Sequence, residues 1–405
     1  MMHLRKGIAL NTLIYVLSDV IVKAIPFFLI PIVTRYLTVE EYGNVSLLLT
    51  LVEVSTIFII MGGHNYYRYK YFKENSHKDL ILVPLILSTL VFVIFQIVSL
   101  SLFMWFSQIS FYVFLPLVAF FQSICALVVC KFQMQQQPMK VALVNVSLAI
   151  FSFISTAILL HFNFGYAGRV NSIILTPVVV GFCVALLLLR SAKFEWKLVS
   201  VEFGRCLSFG VKSVLTSVSW WLRGGMDRII IQYVLGSTML GLFAVAMQLS
   251  LVISVISLAI NNSIMPRIFK LVNSNEYFGL AKLVVISFAV ILFSACSFFI
   301  VSPFMFKFIL PSSYLEAQGF LVPILFGVLA HSLFLVGCNI VTAMGRPAVL
   351  STVAILGAFI HMLLSFVLAK MYGIDGLLWS SSLSYIISSF ILLPSLFKRN
   401  SILEV

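Results

Sequence analysis

This sequence is poor in charge, and poorest in negative charge. Of 405 residues only 10% are charged, and 13 are aspartate or glutamate. Soluble domains carry about 25% charged residues, so a solvated globular fold is excluded. No polar stretch is long enough for an independent soluble domain. The six cysteines (Cys125, Cys130, Cys183, Cys206, Cys296 and Cys338) fall in or beside apolar runs without paired spacing, which argues against a disulfide framework. The histidines do not gather with them into a ligand set, so no metal and no cofactor is expected. A nucleotide loop, a Ser/His/Asp set and a catalytic carboxylate pair are all missing.

What is abundant is apolar surface. Hydrophobic residues make up 61% of the chain and the mean hydropathy is +1.13. Twelve apolar runs of about 20 residues or more are readable, near 9–37, 43–63, 80–103, 109–130, 140–161, 169–189, 208–235, 239–265, 280–301, 317–342, 348–369 and 374–396. This is the pattern of an all-α polytopic membrane protein. Arg5 and Lys6 precede the first run as they would in a signal peptide. That run continues to about Tyr36 and contains Asp19 and Lys23, so it reads as an uncleaved first span.

The net charge of +13 has a distribution that explains it. With both termini inside, eighteen of the 26 lysines and arginines fall in cytoplasmic segments, while the outer segments hold Arg35, Arg169, Lys307 and Lys370. This is the positive-inside asymmetry. It calls for membrane lipids, not nucleic acid, as the anionic partner.

The chain looks internally duplicated. Pro26 and Gly224 are 198 residues apart, as are Gly43 and Gly241; GYAG at Gly165–Gly168 recurs as GIDG at Gly373–Gly376 after 208, and Pro138 recurs as Pro347 after 209. Residues 1–200 and 201–405 are therefore expected to form two six-helix lobes around a central cavity, related by a pseudo-twofold along the membrane normal.

The most informative stretch runs from Lys212 to Gly241. Lys212, Thr216, Ser219, Arg223 and Asp227 step by three or four residues along one helix face. Each charge at bilayer depth costs about 2.5–3.5 kcal/mol on insertion scales, so the face must look into protein or a wet cavity. Gly224 and Gly225 allow a break there, and Pro26 marks the matching point of the first half; these three are the expected hinge residues. In the first span Asn11, Tyr15, Asp19 and Lys23 follow at four-residue steps, and Glu53 lies in the second. Lys23, Lys212, Arg223 and Arg228 are the candidate cationic cavity, with Asp19, Glu53 and Asp227 as ion-coupling groups or charge partners. A blander reading makes Asp19–Lys23 and Arg223–Asp227 self-neutralising pairs that fix packing. Asn11, Tyr15, Ser219, Trp220, Gln248 and Asn261 are candidates to meet sugars.

Four segments together carry a family resemblance. They are PFFLIPIVTRYLTVEEYG (Pro26–Gly43), WWLRGGMDRIIIQYVLGSTMLGLFAVA (Trp220–Ala246), MPRIF (Met265–Phe269) and GYAG (Gly165–Gly168). In this combination and order the chain resembles the Wzx-type O-antigen flippases, the polysaccharide transporter branch of the superfamily that includes MATE multidrug exporters and lipid II flippases. A typical lipid II flippase would be longer, with fourteen spans. The resemblance implies a non-enzymatic bacterial inner-membrane carrier that moves an undecaprenyl-pyrophosphate-linked oligosaccharide outward, beside a polysaccharide polymerase and a chain-length regulator. Two other readings stay open. A MATE-like exporter of cationic drugs would prefer a net acidic cavity. A membrane-embedded polymerase or glycosyltransferase would use an acid in an outer loop, where Glu40 and Glu41 stand; that loop is about six residues long, and the pair reads as a helix start.

Overall fold

The computed structural model describes residues 2–71, 80–105, 111–191 and 196–397, all helix and short turns. The helices are α1 (Met2–Tyr36), α2 (Val39–Ile60), α3 (Gly63–Tyr71), α4 (Leu82–Trp105), α5 (Leu115–Met134), α6 (Pro138–His161), α7 (Gly165–Ser191), α8 (Trp196–Gly224), α9 (Met226–Val234), α10 (Ser237–Asn273), α11 (Tyr277–Ile309), α12 (Leu321–Ala343) and α13 (Pro347–Phe397). Short 3-10 segments, Tyr112–Phe114 and Ser312–Phe320, precede α5 and α12. Helices are what lipid demands, because they satisfy backbone polar groups within one segment.

Local chemistry sets the ends. A reciprocal capping box starts α2: Thr38 N–H donates to Glu41 Oε2 at 2.8 Å, and Glu41 N–H to Thr38 Oγ1 at 3.2 Å. Glu41 is therefore a cap, as the short loop suggested. Proline occupies the first position of α6 and α13, where its missing N–H costs nothing.

Among the described residues ten helices are long and apolar enough to cross a membrane, by length and composition, so this is a multi-pass membrane protein. Eleven of the expected twelve runs fall on these ten helices, two of them on α13, and the twelfth falls outside. The run near 208–235 is broken between α8 and α9 and carries the charges. The runs near 348–369 and 374–396 are joined in α13. A straight 51-residue helix would be about 76 Å long. Instead α13 folds back at Gly373, whose φ of 64° lies in the left-handed region. Ser365 and Ser380 Oγ atoms on its two arms are 2.7 Å apart.

The chain forms two compact units, residues 1–37 with 47–218, and 38–46 with 219–405. The division falls inside α8, where the sequence placed it at 200/201. In the first unit the core gathers Tyr66, Tyr67, Ile81, Leu127, Val128 and Cys206. In the second, Phe334, Val341, Val353 and Leu392 join α12 to α13.

Equivalent backbone bonds recur in both halves of the chain, at the spacings of the sequence repeat. Leu37 N–H bonds Val33 O, and Leu235 N–H likewise bonds Ile231 O. Gln136 and Gln137 N–H bond Gln133 and Phe132 O; Gly345 and Arg346 N–H bond Thr342 and Val341 O in the same pattern. Within the second unit the starts of α2 and α10 cross reciprocally. A Cβ on Gly43 would overlap the Ser237 carbonyl oxygen, and one on Gly241 would overlap that of Val39, the repeat equivalent of Ser237.

Candidate functional site

The break between α8 and α9 builds the site. Gly225 N–H bonds Trp221 O at 2.7 Å, and Arg228 N–H bonds Gly225 O at 3.2 Å, which re-starts the helix after one turn residue. Gly225 is required because a Cβ would overlap the Trp221 indole. The two flanking charges are then buried in the second unit, Arg223 at 6% exposure and Asp227 at 5%.

They do not form the i,i+4 pair that the spacing allowed. Asp227 turns to the two arms of α13. Its Oδ1 lies 3.1 Å from His361 Nε2 and accepts from Ser365 Oγ at 2.7 Å, while Ser381 Oγ lies 3.4 Å from Oδ2. The His361 contact is close without an aligned N–H···O bond, and it is an ion pair only when the imidazole is protonated. On its other side, His361 Nδ1 is 3.2 Å from Ser384 Oγ. Arg223 donates from Nη2 to Ser388 Oγ at 2.7 Å, and its guanidinium carbon lies 5.0 Å and 5.1 Å from the ring centres of Phe334 and Tyr385. Two aromatic faces and a hydroxyl thus replace a carboxylate as partners of this cation. Gly357 makes the seat, since a Cβ there would overlap Arg223 Nη2.

In the first unit the corresponding region is hydroxyl-rich and has no acid. Thr156 Oγ1 lies 2.8 Å from Ser172 Oγ, Ser172 lies 2.6 Å from Ser155 Oγ, and Arg169 Nη1 donates to Thr156 Oγ1 at 2.6 Å. Arg169, expected in an outer loop, is the fifth residue of α7. The first unit's buried acid is elsewhere, at Glu202 on α8. It accepts from Tyr66 Oη, lies 3.0 Å from Lys70 Nζ and 2.5 Å from Arg205 Nη1. Burial alone would raise its pKa, but the bonds from Tyr66, Lys70 and Arg205 hold it below the ordinary glutamate value.

The other expected residues are spread out. Lys212, Thr216 and Lys23 are exposed and Arg228 is half-buried, so the predicted face of α8 passes from exposed at Lys212 to buried at Ser219 and beyond. Asp19 is exposed, and among the described ion pairs none joins it to Lys23. Glu53 is exposed. Trp220 is exposed, Gln248 half-buried, and buried Asn261 accepts from Asn339 Nδ2 at 3.0 Å. The side chains of Asn11 and Tyr15 lie outside the described residues. Pro26 sits within a continuous α1 with no break. His361, Ser365, Ser384, Ser388 and Gly357 were missed. The signal for them was a buried histidine four residues before a serine, followed by serines at three- and four-residue steps from Ser380 to Ser388.

This arrangement can hold charge inside a lipid-embedded helical unit, and known proteins with the same fold move lipids or solutes. The chain is similar in structure to the lipid II flippase MurJ in an inward closed conformation (TM-score 0.73, 12% identity, covering 96% of this chain and 88% of that one). It is also similar to an inward-facing MATE family multidrug resistance transporter of the MOP superfamily (TM-score 0.71, 14% identity, covering 92% and 93%). At these identities the likeness establishes the fold. In sequence it is 26% identical over 360 residues to Lsg locus putative protein 1 of Haemophilus influenzae, covering 87% of this chain and 89% of that protein. It is 28% identical over 268 residues to an uncharacterized membrane protein of the same organism, covering 64% of each. A family model described as polysaccharide biosynthesis protein matches residues 8–272. With the MOP-type fold and that match over most of its length, the chain belongs to the polysaccharide biosynthesis protein family.

Proposed function

We propose that this protein is a flippase. It carries undecaprenyl-pyrophosphate-linked O-antigen, or a similar surface polysaccharide repeat unit, from the cytoplasmic to the periplasmic leaflet of the bacterial inner membrane by alternating access. The observation that carries the reading is the broken α8–α9 segment. In a family member with a transporter fold, it buries Arg223 and Asp227. Interrupted helices mark substrate and ion sites in transporters, and here a single-residue break at Gly225 sits between two buried charges.

On this reading the α8–α9 segment and both arms of α13 are spans, which gives twelve, with both termini cytoplasmic. Gly224, Gly225 and Pro26 are the flexing points. A pyrophosphate headgroup cannot cross hydrocarbon unaided. Lys23 and Lys212, exposed on the first unit, replace its counterions, with half-buried Arg228 on the second. Arg223, buried in the second unit, acts as a charge that sets the local potential. Trp220, exposed, offers a ring face to sugars, and Asn11, Tyr15, Ser219, Gln248 and Asn261 are the polar groups in reach of hydroxyls. Cation binding at Asp227, with Asp19 and Glu53 as the other acids of the spans, resets the carrier. The protein is a carrier, not an enzyme, and works beside a polymerase and a chain-length regulator.

Complementation tests this. Deleting the gene should abolish surface glycan and accumulate lipid-linked repeat units on the inner leaflet. Wild type should restore it, and well-expressed Lys23→Ala/Lys212→Ala should not. Normal surface glycan in a strain without a second flippase rejects the reading and turns attention to cationic drug efflux.

A further inference from the structure

We infer that Asp227 and His361 together form a proton-binding site in the second unit, one that takes a proton and not a metal cation. The inference deepens the coupling step proposed above and rests on that reading only for its role in transport.

The geometry supplies both charge states of His361 without moving a side chain. Nε2 faces the Asp227 carboxylate at 3.1 Å. Nδ1 faces Ser384 Oγ at 3.2 Å, and that hydroxyl lies 3.0 Å from the Ser381 carbonyl. When the Ser384 hydrogen points to Ser381 O, its oxygen is free to accept from Nδ1–H, and the ring carries two protons, with Nε2–H beside the Asp227 carboxylate. When the hydroxyl turns, it donates to a bare Nδ1 and the ring is neutral. The added proton sits on Nδ1 and the bond to Ser384 reverses direction. The net charge of the Arg223, Asp227 and His361 group rises by one, from zero.

A metal cation is poorly served at the same place. Hard cations collect oxygen lone pairs. Here Ser365 points its hydrogen at Oδ1, and an imidazole nitrogen occupies the same oxygen's other side. Among the described residues no group of three or more His, Cys, Asp or Glu side chains could hold a metal. The charged groups that act on His361 are Asp227 on α9 and Arg223 at the end of α8, and the Ser380 backbone also meets the ring; Tyr385 on the second arm of α13 and His331 and Cys338 on α12 face Arg223 in turn. Arg223 is a second cation near the ring, and it makes Asp227 the group that permits imidazolium in a site 1% exposed. The first unit has no such pair. At the repeat-equivalent positions stand Leu29 and Ser152. One proton per chain is the expected capacity of this site.

Infrared difference spectra of the purified protein across a pH titration test the assignment directly, with no cargo present. Wild type should show one imidazole-to-imidazolium conversion that is lost in His361→Asn. It should move to more acid pH in Asp227→Asn and in Ser384→Ala, the second of which removes one hydroxyl only. Sodium at constant ionic strength should leave the conversion in place. Sodium displacing it in wild type but not in Asp227→Asn would overturn the proposal in favour of a metal cation. A spectrum unchanged in all three variants would overturn it outright. Because the readout needs no lipid-linked sugar, its outcome is independent of complementation.

Discussion

The two units carry the same hydroxyl pair and put it to different uses. Thr156 and Ser172 in the first unit lie 2.8 Å apart; their repeat equivalents in the second, Ser365 and Ser380, lie 2.7 Å apart. Around the second pair stand Arg223, Asp227, Gly357, His361 and Ser388. Their repeat equivalents in the first half are Ile25, Leu29, Leu148, Ser152 and Val180. The changes are correlated in volume as well as in charge. Leu148 supplies bulk where Gly357 has none, and Gly357 has none because the guanidinium of Arg223 lies against it. Val180 stands where Ser388 receives that guanidinium. The first-unit copy, hydroxyls with Arg169, packs without a buried acid. By that comparison the scaffold does not need the Asp227 and Arg223 charges in order to pack, and replacing buried ions by apolar groups is often neutral or stabilising.

The largest effect should come from breaking what the halves share. Gly241→Val places a side chain into the Val39 carbonyl oxygen at the crossing of α2 and α10. Overpacking costs about 1–3 kcal/mol where side chains can yield and more where backbone is struck. The variant should fail to give a monodisperse peak on size exclusion. Gly224→Ala, whose Cβ would meet nothing within 4 Å, is the control and should behave as wild type.

A smaller effect separates the two buried acids. Asp227 lies deep among spans, whereas Glu202 lies near the start of α8, tying it to α3 through Lys70 and Tyr66. Removing one member of a buried pair costs about 3–5 kcal/mol. Glu202→Gln should sit at the low end, about 3 kcal/mol, because Lys70 lies at the end of α3. Arg205 is 62% exposed and adds little. The pH sign follows from the lowered pKa. This contribution is fully present above the ordinary value of 4.5 and is lost as pH falls through the depressed native value. Thermal melting of the solubilised protein should thus show an acid-side decline that is weaker in Glu202→Gln than in wild type.

Much of this was legible in the sequence, for reasons that differ by residue. Apolar run length and the GYAG/GIDG echo pointed to the spans and the repeat, because lipid leaves helices few alternatives. The α8–α9 break was legible from Gly224–Gly225 beside charge. What was not legible was who meets whom. Arg223 and Asp227 are spaced to pair with each other, and nothing local says that Asp227 reaches His361, far along the chain in another helix. That contact depends on α13 folding back at Gly373, which brings serines from both arms to one carboxylate. Gly357 reads as an ordinary glycine in an apolar helix until Arg223 is seen against it.

The smallest effect is the most discriminating. Ser172→Ala and Ser380→Ala each remove one hydroxyl of an equivalent, fully buried pair. The stability cost should be alike, about 1 kcal/mol, since each loses a neutral hydrogen bond and keeps the helix intact. Their effect on proton uptake should differ. Ser380 bonds Ser365, and Ser365 donates to Asp227. Ser380 Oγ is also 2.6 Å from the Leu377 carbonyl; when its hydrogen turns instead to Ser365, it leaves the Ser365 hydrogen to Oδ1, and without Ser380 that arrangement is lost and the carboxylate is less well solvated. Uptake should therefore move toward alkaline pH, because a less stabilised carboxylate gains more from an imidazolium beside it. Ser172 leads only to Thr156, Ser155 and a Ser152 carbonyl, so its loss should leave uptake unchanged. Equal melting shifts with unequal titrations would assign the hydroxyl pair to packing in both units and to the proton site in one.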